Sequence, residues 1–180
     1  DYPATTVEAG RVTFRHLLSH TSGLPAWVPL YRLATREAAL AAVLASDFAY
    51  PTGARLVYSD LGLILLTEAI ERLTREPLAV ALRRGVLDPL GMRETMFNPP
   101  PDRWERIAPT EVCRWRARRL VGEVHDENAG RLGGVSGHAG LFAPAAEVAI
   151  LGQMYLNGGA YGEMRLLRAE TVAEMTRLQA

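Results

Sequence analysis

The sequence has 180 residues, of which 48% are hydrophobic and 22% are charged, an ordinary composition for a globular protein. Its 20 basic and 20 acidic residues balance, so no excess of positive charge indicates a nucleic-acid or anionic-membrane partner. No apolar run approaches the roughly 18 residues of a membrane-spanning helix, and the single cysteine, Cys113, excludes an internal disulfide framework.

The basic residues are all arginines, and the chain contains no lysine. The sequence begins at Asp1 without a methionine or a signal peptide, and it ends at Ala180 inside a helical pattern. We therefore expect it to be a piece of a longer protein. Its localisation and oligomeric state stay open.

The first half of the sequence predicts helices that begin at polar caps. Thr13 and Thr35 can each accept a hydrogen bond from the first free N–H groups of a helix, and Pro77 suits a first helical turn. Gly23 is expected to end the first helix in a left-handed conformation. The predicted helices of this half cover residues 14–20, 36–46, 60–75 and 77–86.

The strongest helical pattern follows Tyr58. Ser59 or Asp60 can cap the helix, because either side chain accepts a hydrogen bond from its first turn. Apolar residues recur at helical spacing and predict a helix that is buried along most of its length. Tyr58 and Asp60 are therefore expected to be held rigidly at the lip of a cleft. The predicted buried residues are Leu61, Leu65, Leu66, Ala69, Ile70 and Leu73.

The second half begins with the proline-rich segment 98–102, which marks the main internal break. Weak alternation over 107–124 predicts one or two strands, and the glycine-rich segment 131–140 predicts a loop. Further helices are expected over 144–157 and 169–179. We expect a single partial domain over 1–180 that is helix-rich over 12–97, irregular or stranded over 98–142 and helical over 143–180.

A serine nucleophile is difficult to find, because it needs a base within hydrogen-bond reach. No serine is followed three residues later by lysine, so a serine–lysine pair one helical turn apart is excluded within this chain. Ser136 lies in a segment that resembles a nucleophile elbow, but His138 replaces its second glycine. The serines are Ser19, Ser22, Ser46, Ser59 and Ser136.

His16 and His20 are four residues apart on a predicted helix, the spacing of zinc-binding pairs. The glutamate that normally follows the first histidine is replaced by Leu17, and no third ligand is evident. The simpler interpretation is that both histidines brace the turn 21–23 by hydrogen bonds.

Tyr58 either packs against the edge of the core, as tyrosines commonly do, or takes part in catalysis. As a base, a phenol needs a neighbouring cation to favour its charged form, and no lysine of this chain can supply one. The polar segment 125–128 either lines a site or is a solvated loop. Four arginines of the segment 114–119 are better explained as a solvated strand face than as an anion site.

Several segments together resemble the class C β-lactamase-like serine hydrolases, a group of β-lactamases, penicillin-binding carboxypeptidases and related esterases. Residues 12–25, VTFRHLLSHTSGLP, resemble the family's signature after its nucleophile region, and Tyr58-Ser59-Asp60 is similar to its Tyr-x-Asn motif. Residues 89–97 match the tight turn of the family that begins with the motif Pro-Leu-Gly-Met. Residues 124–129 and 133–142 look like a variant in the β-lactamase-related branch. The resemblance covers nearly the whole chain.

This resemblance implies a mainly α fold with minor β, formed by the helical lobe and part of the sheet-returning segment of the β-lactamase/transpeptidase-like α+β fold. It implies acyl transfer without a cofactor or metal, with Tyr58 as a proton shuttle and backbone N–H groups holding the oxyanion. Asp60, His125 and Asn128 are the predicted substrate contacts. Asp60 stands in place of asparagine and cannot donate as an amide does. The family's serine–lysine motif is expected upstream of Asp1 and its strand motif downstream of Ala180.

Three hypotheses follow. The chain is part of a serine hydrolase for a lactam, peptide or ester carbonyl, inactive by itself, with a small-molecule or peptidoglycan-like substrate. Alternatively, it is a non-catalytic helical module that binds a partner or a peptidoglycan fragment. The third hypothesis is a metal-dependent protein that uses His16 and His20.

Overall fold

The structure is a computed structural model that describes residues 11–179. Helices dominate this part of the chain. The α-helices are α1 (Phe14–Leu18), α2 (Arg36–Leu44), α3 (Asp60–Thr74), α4 (Leu78–Leu82), α5 (Glu127–Arg131), α6 (Ala145–Leu156) and α7 (Ala169–Thr176). A π-helical turn, Arg83–Leu87, continues α4, and 3₁₀ turns cover Leu30–Arg32 and Pro101–Arg106. None of the described helices has the length and apolar character needed to cross a bilayer.

Short strands form three antiparallel pairs in the described part of the chain. The strands are β1 (Met96–Phe97), β2 (Val112–Cys113), β3 (Arg118–Arg119), β4 (Leu141–Phe142), β5 (Ala160–Tyr161) and β6 (Met164–Arg165). The pairs are β1 with β4, β2 with β3, and β5 with β6. The mainly helical fold class with minor strand content is thereby confirmed. The β2–β3 hairpin confirms the strands predicted over 107–124, whereas the other two pairs are not predicted.

Helix α1 is capped as predicted but ends earlier. The Thr13 side chain accepts a hydrogen bond from the backbone N–H of His16. The helix ends at Leu18, and His20 takes the left-handed conformation (φ 57°) that was expected at Gly23. Gly23 has φ 93° for another reason, because a Cβ there would lie 2.4 Å from the carbonyl oxygen of Tyr50.

Helix α3 begins as predicted, with the Ser59 side chain accepting a hydrogen bond from the backbone N–H of Gly62. Its predicted buried face is wrong in the second half, because Ile70 and Leu73 are exposed. The buried positions are Leu61, Gly62, Ile64 and Thr67. The helix therefore packs into the protein by its first two turns, and its last turns lie at the surface.

Two apolar cores hold these elements together. The first contains Leu17 of α1, Val43 of α2, Ile64 of α3 and Leu132 of the glycine-rich segment. The second joins the turn after the π-helical segment to α6, and its buried members are Leu87, Leu90, Met92 and Met154. Since Leu132 is distant in sequence from α1 to α3, the first core closes the glycine-rich segment onto the head of α3. The proline-rich break is shorter than predicted, because a 3₁₀ turn begins at Pro101.

Candidate active site

Tyr58 lies immediately before helix α3 with an exposed side chain (60%). Its ring packs on the ring of His20, with 4.5 Å between the centroids and 33° between the planes. The backbone N–H of Ser59 donates to His20 Nδ1 at 3.1 Å, and the N–H of Val57 donates to the His20 carbonyl at 2.9 Å. The left-handed turn at His20 thus supports the tyrosine from both its ring and its backbone.

The head of α3 is bound to the segment that follows His20. The Ser59 hydroxyl donates to the Pro25 carbonyl at 2.7 Å, and the backbone N–H of Asp60 donates to the Ala26 carbonyl at 3.0 Å. Ser59 itself is 1% exposed. These contacts fix the position from which the phenol of Tyr58 projects into solvent.

Asp60, Asp126 and His138 come together beside this helix start. One ligand atom from each residue lies within 4.8 Å of those of the other two. His138 Nε2 is 3.0 Å from Asp126 Oδ1, and His138 Nδ1 is 2.8 Å from the Ser136 hydroxyl. The His138 side chain is only 2% exposed. Three elements therefore contribute to one polar cluster: the start of α3, the cap of α5 and the glycine-rich loop.

The two carboxyl groups of this cluster differ in electrostatics. Burial raises the pKa of Asp60 above its usual range, the charge of His138 opposes that shift, and the Asp126 carboxylate adds to it. Burial acts in the same direction on Asp126. Hydrogen bonds from His138 and the Ala129 N–H outweigh it, so the pKa of Asp126 falls. Asp126 is thus the better stabilised anion of the pair.

Ser136, His138 and Asp126 form a hydrogen-bonded series that has the residue types of a catalytic triad. Ser136 is 3% exposed, however, and a nucleophile must reach its substrate. The loop that carries it presses on α3, where Gly137 N–H donates to Thr67 Oγ1 at 2.8 Å. The series therefore links the loop to the cap of α5, and the Gly137 N–H links it to α3.

The remaining predicted site residues are Asn128 and His125. Asn128 is fully buried, and His125 contacts Thr110. Asn128 accepts a hydrogen bond from the Tyr31 N–H at 3.0 Å and donates to the Val28 carbonyl at 2.9 Å. His125 Nδ1 is 2.9 Å from the Thr110 hydroxyl. Asn128 thereby braces the loop 28–31, while Tyr58 and Asp60 remain together at the head of α3.

His16 and His20 are used separately. His16 Nδ1 accepts from the Thr13 N–H at 3.2 Å and completes a capping box, whereas His20 supports Tyr58. Both side chains form hydrogen bonds, but with Thr13 and Ser59 and not with the turn 21–23 that they were expected to brace. Within residues 11–179, the group spaced for a metal ion is Asp60, Asp126 and His138 instead.

Two surface concavities lie away from Tyr58. One, of about 480 Å³, lies between the β1–β4 pair and the segment 99–110, and the other, of about 430 Å³, lies between Arg36, Pro77 and Leu132. Neither is lined by Tyr58, Asp60 or His138. Thr110 lines the first concavity. His125 contacts the Thr110 hydroxyl and therefore lies next to that concavity.

Comparison with protein families identifies the class of this chain. The profile of the beta-lactamase family matches residues 2–180. The chain therefore belongs to the beta-lactamase family, and the resemblance to β-lactamase-like proteins is confirmed.

Curated relatives include proteins that carry the provisional name D-alanyl-D-alanine carboxypeptidase. The one from Escherichia coli is 35% identical over 204 residues, which cover 98% of this chain and 46% of the relative. The one from Salmonella agona is 35% identical over 187 residues, which cover 89% of this chain and 42% of the relative. The chain spans slightly less than half the length of these relatives.

Solved structures share the fold. The octameric penicillin-binding protein homologue from Pyrococcus abyssi gives a TM-score of 0.65 at 20% identity, over 92% of this chain and 38% of that one. A beta-lactamase/D-alanine carboxypeptidase from Yersinia pestis gives 0.62 at 24% identity, over 87% and 42%. The expected α+β fold of β-lactamases and penicillin-binding proteins is thus confirmed for this partial length.

Sequence reasoning missed the partners of the predicted residues. Nothing in the sequence shows that His20 supports Tyr58 or that His138 faces Asp60, because both contacts depend on packing between distant segments. One local signal was available for Asp126, which precedes a helical segment and caps α5 by accepting from the Ala129 N–H at 2.6 Å.

Proposed function

We propose that this chain forms the tyrosine-bearing part of a serine hydrolase that transfers an acyl group from a lactam, peptide or ester carbonyl. The observation that carries the proposal is the phenol of Tyr58, 60% exposed at the head of α3. A buried aromatic residue would be part of the core, whereas this one is accessible and held by its neighbours. A group that transfers a proton needs both access and a fixed position.

His20 supports the same role for Tyr58. Since Nδ1 accepts the Ser59 N–H, the neutral imidazole carries its proton on Nε2. The ring packs against one side of the phenol. The chain contains no lysine, so the nucleophile and its lysine belong, in this proposal, to residues outside the sequence.

The proposed substrate is a peptide that ends in D-alanine, of the kind found in peptidoglycan. The names of the 35% identical relatives support this choice over other acyl compounds. Asp60 is the proposed substrate contact among the described residues, because its carboxylate can accept a hydrogen bond from a substrate amide N–H. It cannot donate to a carbonyl, as an asparagine in its place would.

The test compares the full-length protein with its Tyr58→Phe variant on a D-alanyl-D-alanine peptide, a chromogenic β-lactam and a p-nitrophenyl ester. We expect acylation to slow by about 10²–10⁴-fold, the usual contribution of general acid–base catalysis. Tyr161→Phe is a matched control, because it removes the same hydroxyl from a tyrosine that lies in strand β5 and not at the head of α3. Equal rates in Tyr58→Phe and the wild-type protein would remove Tyr58 from the mechanism.

The isolated 180-residue chain should show no turnover above buffer in the same assays. Turnover by this chain would contradict the proposed location of the nucleophile.

The alternative function is a helical module that binds a peptidoglycan fragment without catalysis. The burial of Ser136 is compatible with this alternative, because the serine of the triad-like series in this chain is not accessible. In that case the full-length protein would bind the D-alanyl-D-alanine peptide without releasing D-alanine, and Tyr58→Phe would change affinity alone.

A further inference from the structure

The cluster of Asp60, Asp126 and His138 has the ligand types and spacing of a transition-metal site. Three independent segments each place one ligand atom there, all within 4.8 Å of one another. We propose that this cluster binds a divalent transition-metal ion, with zinc as the preferred ion, through one imidazole and two carboxylates.

The imidazole is already oriented as a metal ligand. The His138 side chain is 2% exposed, and its Nδ1 lies 2.8 Å from the Ser136 hydroxyl. With an ion bound, Nδ1–H would donate to that hydroxyl, and the lone pair of Nε2 would point toward the ion. Metal-binding histidines generally use their second nitrogen in this way, which fixes both tautomer and ring orientation.

The two carboxylates supply the opposite charge. Asp126 Oδ1 lies 3.0 Å from His138 Nε2, a few tenths of an ångström less than the separation of about 3.3–3.6 Å between tetrahedral ligands about 2.0–2.2 Å from one ion. Asp60 accepts no hydrogen bond from the residues described in the structure and is partly buried beside a second carboxylate. A divalent ion would neutralise both, and small movements of the side chains would complete the coordination.

The ligand set indicates the class of metal. Imidazole favours zinc and its transition-metal neighbours, whereas sites for magnesium or calcium are built from oxygen atoms. Three protein ligands leave a coordination position for water or another small ligand. The ion would take the place of the proton between His138 Nε2 and Asp126 Oδ1, because a histidine ligand must offer a free lone pair.

The test is zinc titration of the metal-free, full-length protein by calorimetry at neutral pH, with metal content measured after dialysis. We expect one equivalent of zinc, and at least a tenfold loss of affinity in His138→Gln and in Asp60→Asn. Ser136→Ala should weaken binding by about 10–100-fold, because the hydroxyl acts through the imidazole. The matched control is His125→Gln, which removes an imidazole bound to Thr110 and should keep full zinc affinity.

Circular dichroism and thermal melting check that the variants fold. Asp60→Asn decides the outcome if His138→Gln unfolds, because the Asp60 side chain is partly exposed and its replacement leaves the Ser59 cap intact. No zinc uptake by the wild-type protein would overturn the proposal. Equal affinity in the wild-type protein and Asp60→Asn would also overturn it, since zinc would then be bound elsewhere.

Discussion

Glu147 is a buried carboxylate in the first turn of α6. It accepts hydrogen bonds from the backbone N–H groups of Glu94 and Thr95 at 2.9 and 2.8 Å, and from the Thr95 hydroxyl at 2.6 Å. Burial acts to raise the pKa of Glu147, but these hydrogen bonds outweigh it and the pKa falls. The residue ties α6 to the turn before β1.

Replacing Glu147 by glutamine should destabilise the protein by about 1–3 kcal/mol at pH 7. The glutamine NH₂ group cannot accept a hydrogen bond, so at least one N–H or O–H group that now donates to Glu147 would lose its acceptor. The folded pKa of Glu147 lies below its unfolded value, so its contribution is fully present above the unfolded pKa. It is lost as the pH falls through the folded pKa. The difference between Glu147→Gln and the wild-type protein, measured by urea unfolding, should therefore shrink in acid.

The control for Glu147 is Glu163→Gln, since Glu163 is exposed and its replacement should leave the free energy of unfolding unchanged. A Glu147→Gln difference that stayed constant from pH 7 to pH 3 would show that the carboxylate does not stabilise the fold through its charge.

At the level of elements, the contact between the glycine-rich loop and α3 positions His138. Gly137 approaches α3 so closely that a Cβ would lie 2.8 Å from the Leu63 carbonyl oxygen and 2.9 Å from Thr67 Oγ1. This approach holds the loop against the helix that begins at Asp60. The cluster around His138 therefore depends on a position without a side chain.

Gly137→Ala should destabilise the protein by about 1–3 kcal/mol, the usual result of forcing extra volume into a packed contact. Gly152→Ala is the control, because Gly152 lies in α6 with no atom within 4 Å of an added Cβ. It should be neutral or stabilising by about 0.5–1 kcal/mol. Thermal unfolding of both variants measures the difference, and equal melting temperatures would show that the loop moves away without loss.

The local rules of helix formation gave correct element starts and less accurate ends. Thr13, Thr35 and Ser59 cap helices as predicted, because a cap depends on residues within one turn. The predicted end of α1 is wrong because His20 is held in its left-handed conformation by contacts with residues 57–59. The exposure of Leu73 could not be predicted either, since hydrophobic periodicity does not show which turns of a helix pack against the rest of the protein.

At the level of the whole molecule, the described chain exposes several large apolar side chains. Phe14 and Leu18, four residues apart on α1, are 54% and 66% exposed, and Leu73 and Leu156 are 73% and 83% exposed. Residues four apart on a helix are neighbours, so Phe14 and Leu18 form a continuous apolar surface. Such surfaces generally mark contacts with other protein surfaces.

The 180-residue chain, purified by itself, should self-associate with rising concentration because of this exposed apolar surface. Light scattering measures the effect. The variant Leu18→Gln/Leu73→Gln should scatter less and unfold at the same temperature, because both side chains are exposed. A monodisperse wild-type monomer at every concentration would contradict this expectation.

The site could be predicted only in part, for a reason that belongs to the whole molecule. Tyr58 and Asp60 follow from one local pattern at a helix start. The roles of His20 and His138 require the turn after α1 and the glycine-rich loop to meet that helix, and this meeting is decided by the first core. Asn128 was predicted as a substrate contact from its polar surroundings, yet its side chain is 0% exposed and braces the loop 28–31.

The backbone of His20 (φ 57°) adopts a conformation that glycine reaches more easily than histidine. Glycine at this position would relax the main chain, but it would remove the imidazole that lies against Tyr58. Evolution toward heat resistance alone would favour the smaller residue, whereas retention of an aligned phenol favours the larger one. At position 20, the stability of the backbone and the alignment of Tyr58 therefore favour different residues.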